Sequence, residues 1–352
     1  YNPYLYVYIA DLGISGKQIG LLASLVPVSM LVFTAPIASL ADVKSWRVRI
    51  LRLGLLGWAV SLFFLQFPNT FAQFVMVLLP LAVLNSPVMA IADGLISRMA
   101  KRENLNYGGM RLWGSFGFAT SALLFGAVWQ KFTFKPMFTV ASLLAIPLLW
   151  IAGKFNEGEI IQSRERGSLK MLFQDKGLLM LLAAIFLSGV SNSITMTFEG
   201  IYARSLGGGN FLIGVMIASA AFFELPAMFY MKKIARVIGR PNTILLGYAF
   251  SGAAFLGYIL VSNPNYLPFF SVLKGIAYGL TLTGSIALLT ERTPDEWSST
   301  SQSLMAVSYM GLAPLVAGPL GGMIHDAYSP GAVFVLGLVT MAGAAIILIS
   351  AS

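Results

Sequence analysis

The chain has no cysteine, a single histidine and little charge. Cys 0 excludes disulfides, thiol chemistry and cysteine metal ligands. The one histidine, His325, stands beside Asp326 at the end of an apolar segment. One histidine without cysteine does not make a zinc or haem site, so neither a metal nor a cofactor is expected. Charged residues are 11% of the 352, against about 25% in soluble domains. Strand-like alternation is absent. No nucleophile–base pair, metal cluster or phosphate loop occurs, and no loop is long enough for a soluble domain. These absences argue against an enzyme and against a signalling receptor.

What is present is apolar sequence, 57% of the chain. Hydrophobic segments cover 18–42, 50–67, 71–97, 107–130, 136–153, 177–203, 211–231, 242–262, 266–290, 300–324 and 331–350. The piece before them, Tyr1–Ala10, is too short to span, because a crossing needs about 20 residues. It reads as the outer end of a first helix whose beginning is missing. That gives twelve helical spans, with Gly and Pro scattered inside them as membrane helices tolerate.

The net charge of +9 sets topology; it does not mark a nucleic-acid surface. Lys44, Arg47, Arg49 and Arg52 follow the second span, and Arg98, Lys101 and Arg102 close the fourth. Further basic residues lie in 154–176, 232–240 and at Arg292, always on the same side. The opposite loops hold only Lys17, Lys131, Lys135 and Arg204. The positive-inside rule therefore puts the basic loops and both termini in the cytoplasm, in the inner membrane if the chain is bacterial.

The longest polar stretch, 154–176, divides the chain into 1–153 and 177–352, six spans each. The halves repeat at an offset of 194. Leu12-Gly13 maps onto Leu206-Gly207, Ile19-Gly20 onto Ile213-Gly214, Arg98 onto Arg292 and Gly117 onto Gly311. Parallel six-helix repeats with a site between them at mid-membrane are a transporter architecture.

Two charges of opposite sign interrupt neighbouring spans, Asp93 and Arg111, on either side of the turn Lys101-Arg102-Glu103-Asn104. At 1.5 Å per residue both are about 10 Å deep. An ionised side chain there costs about 2.5–3.5 kcal/mol on insertion scales, and the two can neutralise each other. The pair either fixes helix packing or holds a polar ligand or proton, the second being the usual use of intramembrane charge.

The loop Ser39-Leu40-Ala41-Asp42 with Lys44, Arg47 and Arg49 resembles the cytoplasmic signature of the major facilitator superfamily. The stretch Tyr107-Gly108 through Arg111-Leu112-Trp113-Gly114-Ser115-Phe116-Gly117-Phe118 is similar to the fifth helix of its lactose-permease-like branch. That branch includes phenylpropionate-type permeases and resembles the nucleoside symporters. The resemblance implies an all-α major facilitator fold of two pseudo-symmetric six-helix bundles. It also implies a substrate pair of Asp93 and Arg111, an aromatic stacking residue at Phe118, the eighth-helix acid at Glu224 and its tenth-helix partner at Lys274. The chain departs from the pattern where Ala277 replaces a proton-carrying Glu, Ala253 an Arg, and Thr195 and Phe198 two seventh-helix acids. The lactose-permease proton relay is therefore not implied.

Helical spacing supplies the remaining candidates. Asp93 shares a face with Met89, Ser86 and Asn85, and Arg111 with Gly114, Ser115 and Phe118. Glu224 and Lys274 are isolated charges in their helices. Pairing them is the simplest solution, the alternative for Lys274 being to snorkel outward. Tyr278 is one turn from Lys274. Asn192, Thr195 and Glu199 follow one face, with Glu199 read either as a solvated rim residue or as a gate or proton site. Gln302, Met305 and Tyr309 follow another. Asp42, Arg47 and Arg49 serve loop structure and gating. Other methionine-rich faces are read as core and lipid contact. The expectation is a monomeric carrier in the lipid bilayer, taking up a small polar organic solute with a proton. Substrate contacts come from Asp93, Arg111, Ser115, Phe118, Asn85, Asn192, Lys274, Tyr278 and Tyr309. Glu224, then Glu199, would carry the proton. The alternative is an exporter of amphipathic compounds.

Overall fold

A computed structural model describes residues 1–105, 107–132, 134–155, 175–293 and 297–351, with the backbone alone at 107–109, 111–112 and 298–299. The greater part of the polar linker lies outside the described residues. The first half contains α1 (Asn2–Asp11), α2 (Gly16–Val43), α3 (Arg47–Phe64), α4 (Phe71–Asn85), α5 (Val88–Arg102), α6 (Tyr107–Lys131) and α7 (Lys135–Ala152). The second contains α8 (Lys176–Ser205), α9 (Asn210–Ile238), α10 (Arg240–Leu260), α11 (Leu267–Arg292), α12 (Ser298–Ala306), α13 (Ala313–Ala327) and α14 (Val333–Ala351). The described residues contain no strand. Nine helical stretches among them are long and apolar enough to cross a membrane. Of the remaining expected spans, α1 has only ten residues and α3 opens on Arg47, Arg49 and Arg52.

Two of the spans are irregular. The fourth breaks at Ser86-Pro87 into α4 and α5. Proline has no N–H and crowds the preceding turn; Pro80 is carried within α4, but at Pro87 the helix breaks. The eleventh is interrupted by a π-helical turn, Val307–Leu312, between α12 and α13. Elsewhere the sequence cues operate locally. Ser15 with Gln18, and Thr70 with Gln73, close capping boxes at the starts of α2 and α4, each satisfying two orphan N–H groups. Gly13 and Gly207, repeat-mates, take φ of 82° and 87° just past α1 and α8. Only glycine adopts that left-handed conformation without strain.

Aromatic side chains fill the centre of each half. Tyr8 meets Phe74 and Phe138 edge-on, at centroid distances of 6.3 and 5.1 Å. Phe334 lies among Tyr202, Phe255 and Tyr258 at 5.1, 6.1 and 5.0 Å. Between the halves, α2 packs on α13, α6 on α9 and α1 on α8. Glycine makes these crossings close. A Cβ on Gly20 would stand 2.0 Å from the Gly318 carbonyl oxygen, and one on Gly214 would stand 2.6 Å from that of Ala122. The crossings belong to the end of the molecule that carries loops 12–15 and 206–209, the basic-poor end.

Helices α9 and α11 meet the same way inside the second half. A Cβ on Gly275 would lie 2.1 Å from the Ala220 carbonyl oxygen, and backbone cannot yield as a side chain can. Gly275→Val is therefore expected to destabilise the fold by about 1–3 kcal/mol or more through overpacking. The readout is a lowered unfolding temperature in detergent or nanodiscs, with Gly114→Ala, which meets nothing within 4 Å, as the neutral control.

Candidate functional site

A cavity of about 1050 Å³ lies between the halves. Asp93 on α5 and Ser115 and Phe118 on α6 line it from the first half. From the second come Asn192, Thr195 and Glu199 on α8, Glu224 on α9, Lys274 and Tyr278 on α11, and Tyr309 on the π turn. The lining reaches Met99 and Phe155 at the basic end.

The second-half wall holds the densest polar cluster. Glu199 is 5% exposed and far from a solvated rim position. One of its carboxylate oxygens accepts from Tyr258 Oη and, at 3.0 Å, from Ser271 Oγ. The other accepts from Lys274 Nζ in a buried ion pair. Tyr258 and Ser271 are themselves 2.9 Å apart. Three donors satisfy the carboxylate, as a buried charge requires. The expected Glu224–Lys274 pair is thus replaced by Glu199–Lys274. Glu199 offers the ammonium a carboxylate already fixed by two hydroxyls, whereas Glu224 brings no such support. Glu224 is half-buried, faces the cavity, and makes no hydrogen bond or ion pair with another described residue.

The irregular helices correct two further expectations. Asn85 does not line the cavity. It ends α4, half-buried, and the break at Ser86-Pro87 cancels the eight-residue spacing that would put it on the face of Asp93. In the eleventh span the extra residue of the π turn carries Tyr309 and Met310 to the cavity. Such turns recur at functional sites. Gln302 stays exposed and Met305 is buried in the core. The rings of Tyr309 and Tyr278 stand 6.4 Å apart. The backbone of Arg111 is helical, but its side chain lies outside the described residues, so the Asp93–Arg111 pair does too.

At the basic end Arg47 is buried and its Nε donates to Asp42 at 2.5 Å. The Arg49 guanidinium stands 5.2 Å from the Trp46 ring centroid. These residues do not line the cavity, and they order the loop after α2. Sequence reasoning missed Tyr258 and Ser271, which sit on different helices with no spacing between them to read. It also read the methionines away from the Asp93 face as core and lipid contact, whereas Met30, Met99, Met110, Met196 and Met310 line the cavity. Unbranched thioethers make an adaptable wall for ligands of varied shape.

Comparison with known proteins agrees with this geometry. The family model described as "MFS_1 like family" matches residues 1–336. A maltose permease of Geobacillus stearothermophilus is 26% identical over 360 residues, covering 99% of this chain and 90% of the permease. The uncharacterized transporter YwbF of Bacillus subtilis (strain 168) is 24% identical, covering 97% and 86%. Among solved structures, a mutant of the nucleoside transporter NupG superposes with a TM-score of 0.88 at 14% identity, covering 100% of this chain and 96% of that one. A bacterial homolog to the human lysosomal transporter Spinster, inward-facing and unoccupied, gives 0.71 at 14% identity, covering 99% and 91%. At such identities the structures speak for the fold alone. The residues and relatives together describe a transporter.

The rewired pair has a measurable consequence. Removing one partner of a buried ion pair typically costs about 3–5 kcal/mol, because the other charge is left uncompensated. Lys274→Ala should therefore lower stability more than the double change Lys274→Ala/Glu199→Gln, while adding Glu224→Gln to Lys274→Ala should rescue nothing. Thermal unfolding of the parent and these three variants decides it, and a Lys274→Ala/Glu199→Gln protein no more stable than Lys274→Ala would contradict the pairing.

Proposed function

The chain belongs to the MFS_1-like family of membrane transporters, and on that premise we propose that it takes up a small polar organic solute together with a proton by alternating access. The observation that carries the reading is the composition of the cavity. It presents Glu224, a carboxyl group that makes no hydrogen bond or ion pair with another described residue, together with an ammonium–carboxylate pair that is already satisfied. A coupling site must gain and lose a proton as the cavity changes sides. Glu199 is committed to three donors, so its proton occupancy is tied to breaking the Lys274 bridge. Glu224 has nothing to break.

The solute class follows from what surrounds these groups. Asn192, Thr195, Tyr278 and Tyr309 offer hydroxyls and an amide, and Phe118 offers a flat apolar face. Such a set suits hydroxylated rings, sugars or nucleosides, and also an aromatic acid whose carboxylate would meet Lys274 or Arg111. The maltose permease among the similar proteins supports the first of these, sugars. In this reading Asp93 and Arg111 complete the site from the first half. The protein acts as a monomer in the cytoplasmic membrane, and the cavity, reaching the basic end, faces the cytoplasm. Rocking of the halves would then carry it to the other side. The methionine lining favours a second reading, export of amphipathic compounds, which need adaptable walls.

Proteoliposomes separate these readings. Uptake of maltose, uridine and phenylpropionate, with and without an inward proton gradient, is measured for the parent and for Glu224→Gln. The expected result is gradient-driven accumulation of at least one solute by the parent. In Glu224→Gln, downhill exchange should be retained and accumulation lost. Undiminished accumulation in the variant would move the proton site to Glu199 or Asp93. Gradient-driven extrusion of amphipathic dyes without uptake of any of the three would replace uptake by export.

A further inference from the structure

The basic-poor end is closed by more than glycine packing. Asp326, the next-to-last residue of α13, reaches across to the first residues of α2. Its Oδ1 accepts from Gly16 N at 2.7 Å and its Oδ2 from Lys17 N at 2.8 Å. One carboxylate thus satisfies two of the four N–H groups that a helix leaves unpaired at its start, at the end where the helix dipole favours negative charge. Gly16 makes room for it, since a Cβ there would stand 2.5 Å from His325 Nδ1 and 2.7 Å from Asp326 Oδ1. His325 braces the carboxylate from its own helix, with Nδ1 3.1 Å from Oδ1. Its ring stacks on Phe198 of α8 at 5.8 Å.

The other crossing repeats the arrangement. The repeat-mates of Gly16 and Lys17 are Asn210 and Phe211, which begin α9. Phe211 N donates to Gln130 Oε1 at 3.1 Å, and Asn210 Nδ2 donates to the Trp129 carbonyl at 2.7 Å, both acceptors lying on the last turns of α6. A Cβ on Gly209 would stand 2.4 Å from Gln130 Oε1. At both crossings the end of one helix therefore caps the start of a helix from the other half. The chemistry differs, a carboxylate taking two N–H groups in one place and a neutral amide taking one in the other. The one ion pair between the halves among the described residues at this end, Arg204 with Asp11 at 3.4 Å, is about a third exposed and is of the kind that contributes little.

We propose that Asp326 and Gln130, which cap repeat-related helix starts, are latches of unequal strength that hold the cavity shut at the basic-poor end, with Asp326 the stronger. Each latch joins two halves that must part for the cavity to open there, and neither side chain lines the cavity. The latches thus set the balance between the two facings without touching solute. A charge-assisted bond at a helix start is about twice as strong as a neutral one, which fixes the order of the two.

The absence of cysteine makes the test direct. Ile217→Cys, in the cavity wall on α9, is the single reporter. Its labelling by a membrane-impermeant maleimide is measured from each face in sealed vesicles of both orientations. This rests on the alternating-access reading but needs neither solute nor proton, so a failed transport assay leaves it standing. Asp326→Ala is expected to speed labelling from the basic-poor face by about tenfold, the equivalent of 1.4 kcal/mol, and to slow it from the basic face. Asp326→Asn should fall between it and the parent, and Gln130→Ala should give a smaller shift in the same direction. An unchanged rate at the basic-poor face in Asp326→Ala would overturn the proposal. So would faster labelling from both faces, which marks a loosened fold. Equal shifts for Asp326→Ala and Gln130→Ala would overturn the assigned order.

Discussion

An ammonium group inside a membrane has to be neutralised where it stands, and the second half of this protein is arranged around doing so for Lys274. The Lys274 and Glu199 side chains are only 15% and 7% exposed, and at that burial an unpaired ion is costly. Glu199 supplies the counter-charge, while Tyr258 and Ser271 hold the carboxylate from behind. Three helices, α8, α10 and α11, are tied together at that point. The tie lies wholly within one half, so it need not break when the halves move against each other. It also decides the standing of the other acid. With Lys274 committed to Glu199, Glu224 reaches the cavity with no hydrogen bond or ion pair to another described residue, and that leaves it available for the proposed coupling role.

The sequence showed the spans and their pairing far better than the side-chain partners. Length and hydropathy locate nine crossing stretches among the described residues, because a helix must satisfy its own backbone in lipid. The repeat is legible because Gly13 and Gly207 answer the same demand, a left-handed turn after the first helix of each half. The site was legible where a helix is regular. Asp93, Ser115 and Phe118, and Asn192, Thr195 and Glu199, do face one cavity. It failed where the register slips. Pro87 removes Asn85 from the face of Asp93, and the π turn separates Tyr309 from Gln302 and Met305. Partner choice failed for another reason. Spacing along one helix says which way a charge points, but which helix stands opposite depends on packing. The 2.9 Å contact between Tyr258 and Ser271 leaves no trace in the order of residues.

The contacts between the halves contrast with those inside them. Inside, the structure uses aromatic clusters and a buried ion pair, interactions that are expensive to undo. Between the halves, at the basic-poor end, it uses backbone against backbone at Gly20, Gly214 and Gly318, together with helix caps. A gap of about 0.5–1 Å already forfeits roughly a quarter to a half of the dispersion between backbones. A freed helix start can be satisfied again by water, so a cap at the membrane surface is released without stranding a buried charge. The interface is therefore tight when closed and inexpensive when open.

That difference bears on where a transported solute can act. A ligand shifts a two-state equilibrium only by its differential affinity for the states. A population change from 1:99 to 99:1 already requires about 5.5 kcal/mol. A cavity contact of one or two hydrogen bonds, each worth about 0.5–1.5 kcal/mol net, does not reach that figure. It can drive the change only if the closed and open forms start near balance. Surface caps and glycine crossings provide such a balance, whereas a salt bridge buried between the halves would not. With the one described buried ion pair placed within the second half, and caps and a partly exposed pair across the basic-poor end, the proposed equilibrium would stay within reach of a small solute.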